Sequence, residues 1–156
     1  MNAYSQLLIY IKELADADPF VNTVTQGNYD ELDLDKGNVF PILHVTITGG
    51  SFNNGSTIVF NIEIACLQQR DVNTELNSDK FYGQSNEIDN MNETLAVLNR
   101  LWLNMFRDFA ENNITASENP VLNIIEDKTT TNNIEGWNLV FEVEVPNTTL
   151  NLCQTF

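Results

Sequence analysis

The sequence predicts an α+β fold: a mainly antiparallel sheet of about four to five strands, packed by an N-terminal helix and a long central helix. Three observations predict it. Apolar residues recur every three and four positions near the N-terminus and again over 88–109, the period of helices lying on a core. Strict alternation marks 39–48, 57–68 and 136–145, the period of strands with one buried face. The strands also fall in sequence-adjacent pairs, as hairpins of an antiparallel sheet do. At 156 residues, 42% hydrophobic, the chain reads as a single domain over 1–156 with a short C-terminal tail from about 147.

Taken in order, Tyr4, Leu7, Leu8, Ile11, Leu14 and Ala15 form one apolar stripe, and Asp16, Asp18 and Pro19 end that helix. Positions 19–26 suggest a short strand through Val21 and Val24, followed by an acidic connection over 30–37. In the strand over 39–48, Leu43, Val45 and Ile47 share one face, and His44, Thr46 and Thr48 the other, which is expected to be solvated. The glycines, serine and asparagines of 49–55 read as a turn. The chain returns over 57–68 with Ile58, Phe60, Ile62, Ile64 and Cys66 inward.

A polar stretch, 70–85, precedes the long helix, predicted from about Asn86 to Glu111 with Ser85 or Asn86 as its cap. Ile88, Met91, Leu95, Leu98, Trp102, Met105 and Phe109 make its stripe. Val97, Leu101 and Phe106 widen it beyond a coiled-coil seam, so packing on a sheet is expected, with Leu95, Leu98, Trp102 and Met105 at the contact. Leu122 and Ile124 mark a further strand, 131–135 a turn, and Trp137, Leu139, Phe141, Val143 and Val145 the inward face of the last strand. Pro146 offers no ladder donor and ends it.

Seven basic residues against 22 acidic ones give a net charge of −15. Nucleic-acid and anionic-lipid surfaces are held by clustered Lys and Arg, so direct DNA binding is not expected. No apolar run approaches the roughly 18 residues of a membrane span, and Lys12 interrupts the N-terminal apolar stretch without a basic region before it, so no membrane partner and a cytosolic origin are expected. Cys66 and Cys153 lack CxxC spacing and read as free thiols, Cys66 as a small hydrophobe.

Tests for chemistry come out negative. His44, the one histidine, has no nucleophile motif beside it, so no catalytic residue is assigned. The acids Asp30, Glu31, Asp33 and Asp35 fail the EF-hand pattern, because Gly37 falls at position 5 and His44 at position 12 counted from Asp33. No metal and no cofactor are therefore expected. Glu142 and Glu144 share a strand face, as a glycosidase pair would, but nothing else in the sequence supports such an enzyme.

A set of short motifs carries a resemblance. Leu32-Asp33-Leu34-Asp35-Lys36, Phe40-Pro41, Asn86-Glu87-Ile88-Asp89-Asn90, Asn99-Arg100-Leu101, Gly136-Trp137 and Pro146-Asn147 occur in this order. Together with the order helix, strands, long helix, hairpin, the chain resembles the phage tail terminator (tail completion) proteins. The resemblance implies a virion protein of the tail or neck, made in the host cytoplasm. It implies a homo-oligomeric, hexameric ring on the tail tube protein that presents a face to the neck or head-connector protein, while DNA passes without specific binding. Asp33, Asp35, Lys36 and Pro41 are then interface candidates, Lys36 answering a neighbour's carboxylates. Other readings are another neck, head-completion or tail-tube ring component, or an acidic host-directed inhibitor.

Overall fold

The computed structural model describes residues 3–28, 39–70, 81, 87–127 and 134–146. The predicted acidic connection, positions 71–80 and 82–86 of the polar stretch with both capping candidates, turn positions 131–133 and the tail with Cys153 lie outside the described residues. The elements run α1 (Ala3–Asp16), β1 (Thr23–Gln26), β2 (Ile42–Asn53), β3 (Thr57–Gln69), α2 (Glu87–Glu111), β4 (Thr115–Ala116), β5 (Val121–Asp127) and β6 (Ile134–Pro146). They make the expected α+β fold, with one six-stranded sheet of order β1-β2-β3-β6. Both β4 and β5 pair with the outer edge of β6. β1 runs parallel to β2, and every other pairing is antiparallel.

Both helices cover the same face of the sheet. Leu43 and Val45 of β2, Ile62, Ile64 and Cys66 of β3, and Leu139, Phe141, Val143 and Val145 of β6 are buried against Leu7 and Ile11 of α1 and Leu98, Leu101, Met105 and Phe109 of α2. Cross-strand register puts these residues opposite one another, Leu43 by Cys66 by Trp137 and Val45 by Ile64 by Leu139. Each such side chain contributes about 1.5–3 kcal/mol on burial, so this layer dominates the stability of the fold. The segment just after α1 is tied to α2 by a two-pronged bond, Arg100 Nε and Nη2 donating to Asp18 at 2.8 and 3.0 Å, with the guanidinium 5.1 Å from the Phe20 ring centre.

Several expectations need correction. β2 does not stop at Thr48: a bulge absorbs Thr48 between Ile47 and Gly49, and the strand continues to Asn53. The glycine signal was real but misplaced, because a Cβ on Gly50 would meet the Val59 carbonyl oxygen at 2.3 Å, a close approach only glycine allows. The true turn is Asn53–Ser56, where Asn54 and Gly55 have φ of 48° and 72° and Ser56 N donates to Asn53 O, the positive-φ pair typical of hairpins. Ile134 and Glu135 belong to β6 and not to a turn.

The core stripe of α2 is also rotated from the predicted one. Asn90 and Thr94 are buried, Leu95 and Trp102 only half-buried, and Ile88 and Phe106 exposed. Tyr4, on the predicted apolar stripe of the first helix, is exposed too, as are Leu122 and Ile124 of β5. The buried polar residues are satisfied: Asn90 Nδ2 donates to Glu135 Oε1 at 2.8 Å and to Gln69 O at 3.2 Å, and Thr94 Oγ1 donates to Asn90 O at 2.7 Å. A hydrogen-bonded pair can thus occupy a face that periodicity assigns to hydrophobes.

Candidate functional site

Of the sequence-predicted interface residues, Asp33, Asp35 and Lys36 lie outside the described residues, so the structure does not bring them together with anything. Pro41 is buried at the entrance to β2. Its carbonyl accepts from Asn22 N at 3.0 Å and Thr23 N at 3.4 Å, and Asn22 Nδ2 donates to Phe40 O at 2.6 Å. Val39 is held beside Thr23, whose Oγ1 donates to Val39 O at 2.8 Å. Pro41 therefore joins β1 to β2 within the subunit.

His44 is 2% exposed, contrary to the solvated face expected of it. Its Nε2 lies 3.2 Å from Gly27 O, an atom that only accepts, so Nε2 carries the proton and Nδ1 accepts from the Thr25 hydroxyl at 2.8 Å. Thr46 Oγ1 donates to the same Gly27 carbonyl at 2.9 Å. Burial pushes the imidazole pKa below its ordinary value, opposed by the Gly27 contact. His44 thus binds the segment after β1 to β2. Cys66 is buried on the opposite, helix-covered face, and burial pushes its thiol up to about 12, the charges of Asp18 and Glu93 adding to the rise. That excludes a Cys–His couple between them and leaves Cys66 a protonated thiol at neutral pH. Among the described residues no three His, Cys, Asp or Glu side chains are grouped to hold a metal ion.

The helix-free face of the sheet has two halves. At one end Ala65, Leu67 and Ile134 form a small buried cluster with Phe40 and Ile125 packed on it. Toward the other end β3 and β6 present Glu63, Glu142 and Glu144, none of them buried. Glu144 accepts from the Thr57 hydroxyl and from Asn53 Nδ2 at 3.0 Å, which together hold its carboxyl below the usual range. Asn138 Nδ2 lies 3.5 Å from Glu63 Oε2.

The cations are disposed differently. Lys12 pairs with Asp16 at 2.6 Å, Arg70 with Glu87 and, at 3.7 Å, with the buried Glu135, Arg100 with Asp18, and Arg107 with Asp108 at 3.3 Å. Every described Lys and Arg is thus engaged by a carboxylate of its own subunit. None of these pairs lies on the acidic half of the sheet face. Sequence reasoning gave the excess of acid but could not show which face it occupies.

Exposed apolar side chains and an open groove occur on each flank of the sheet. Val121, Leu122 and Ile124 of β5 are exposed, as are Leu103 and Phe106 of α2. Between them runs a groove of about 390 Å³ lined by Leu95, Asn99, Trp102, Pro120 and Leu122. Across the molecule, a groove of about 400 Å³ lies between α1 and β1, lined by Leu8, Ile9, Lys12, Val24 and Gln26. No protein-family model matches this chain, and no curated protein matches it in sequence.

Proposed function

We propose that this chain is a virion structural protein that closes the head-proximal end of a phage tail as a homo-oligomeric ring, joining the tail tube to the neck. The observation that carries the reading is the acidic half of the helix-free sheet face, with Glu63, Glu142 and Glu144 and no described cation free to answer them. A sheet face of this kind suits the wall of a DNA conduit, because fixed carboxylates repel phosphate and leave the polymer unbound. Screening confines the effect to about 8 Å at physiological salt, so it acts where the wall is close to the DNA. The hexameric number, the tube and the neck partners come from the resemblance of the sequence motifs.

One observation favours the neighbouring reading of a tail-tube component: the β2–β3 hairpin carries Phe52, 78% exposed, near its tip, a feature suited to gripping an adjacent ring. Electron microscopy of the purified protein in high salt separates the two. Single closed rings are the expected result. Rings that stack spontaneously into long tubes would favour the tube component, and monomers under all conditions would end the ring reading. Retention of DNA by the rings in a gel-shift assay would overturn the role given to the acidic face.

A further inference from the structure

We infer that copies of this chain join head to tail, the β5–α2 flank of one against the α1–β1 flank of the next, adding one sheet to another; the inference rests on the ring reading and names its contact. The β5 edge is the starting point. Among the described residues it pairs only with β6, and Ile124 is 56% exposed on it. A long apolar edge strand left open is an association site unless a partner covers it. Among the described residues, the groove beside it, between β5 and α2, is lined without a charged side chain. In a chain of net charge −15, copies approach most readily where local charge is low, and this groove is such a place, although β5 carries Glu126 at its far end.

The opposite flank fits it. Ile9 is 41% exposed beside the α1–β1 groove, and the one charged residue lining that groove is a cation, Lys12. Lys12 is paired with Asp16 at 2.6 Å, so this groove too carries little net charge. Strand direction agrees as well. β1 runs with β2, while β5 runs against β6, which in turn runs with β2 through β3, so β5 and β1 point in opposite directions. Copies related by rotation about an axis along the strands therefore bring β5 and β1 together antiparallel, the more stable ladder. A two-fold pairing of β5 with β5 would leave the α1 flank bare. The head-to-tail arrangement covers both flanks with one kind of contact, and it is the heterologous kind that closes a ring.

The test uses two full-length variants, Ile124→Glu on one flank and Ile9→Glu on the other, both at exposed positions, with unchanged circular dichroism melts as the check on folding. Under conditions where the wild type forms rings, each variant alone should lose at least about tenfold in association and run as a monomer in analytical ultracentrifugation. Mixed one to one, they retain a single intact pair of flanks, so they should form dimers that grow no further. Continued self-association of Ile9→Glu would overturn the head-to-tail contact in favour of a two-fold one. Wild-type-like rings from both variants would overturn the contact and leave the ring reading standing. Failure of the wild type to form rings in high salt would remove both.

Discussion

The neutral tautomer of His44 is held by the Gly27 carbonyl on one nitrogen and the Thr25 hydroxyl on the other, and burial disfavours the imidazolium. In the unfolded chain the ring titrates near pH ~6.5. The folded pKa is lower, so between the two values the unfolded state binds more protons and stability rises with pH through that window. Lowering the pH from about 7 to about 5.5 should therefore lower the melting temperature. His44→Gln, which keeps an amide where the ring hydrogen bonds were, should flatten that slope. An unchanged slope in the variant would assign the loss to other groups. The burial of His44 could not be read from the sequence. Alternation with Leu43 and Val45 correctly put it on the other face of β2, but alternation reports which face a residue takes, never whether that face is covered.

At the scale of elements, α2 shows how far a period can be trusted. Its length and its place on the sheet were legible, because propensity and a three-and-four spacing agree over 25 residues. Its rotation was not. Asn90 and Thr94 take core positions because Glu135, Gln69 O and the preceding turn satisfy them, partners a linear pattern cannot anticipate. The consequence is measurable. Met105 is fully buried, so Met105→Ala should cost about 2–5 kcal/mol in urea denaturation. Trp102 is half-buried, its ring 5.2 Å from Phe141 in an edge-on contact, so Trp102→Ala should cost about 2 kcal/mol, below the figure for a buried aromatic. The reverse order would restore the rotation that the sequence pattern suggested. The β2–β3 hairpin obeys the same limit: a glycine pair in a linear pattern suggests a turn, whereas Gly49 follows a bulge and Gly50 makes a close approach to Val59 within the strand.

For the whole molecule, the excess of acid was legible at once, but the flanks were not, because sheet order alone decides that β5 and β1 stand at opposite edges. Charge and flanks together set the salt dependence of assembly. Each copy carries −15, so association of copies works against long-range repulsion. The Debye length falls from about 30 Å at 0.01 M salt to about 3 Å at 1 M, which removes repulsion between copies. The ion pairs inside each subunit, such as Arg100–Asp18 at 2.8 Å with the carboxylate largely buried, are direct contacts and are screened much less. An apolar, uncharged contact is unaffected or strengthened. Association should therefore rise with salt, by at least about tenfold between 0.05 and 0.5 M KCl in sedimentation velocity, and then level off. A contact built on Lys36 and a neighbour's carboxylates, as the sequence motifs imply, adds an opposing trend, since screening weakens attraction equally. Lys36→Glu distinguishes the contributions. If the apolar flanks dominate, the variant should assemble with a steeper salt dependence and reach the same plateau. If Lys36 dominates, assembly should fall with salt in the wild type and be lost at every salt concentration in the variant.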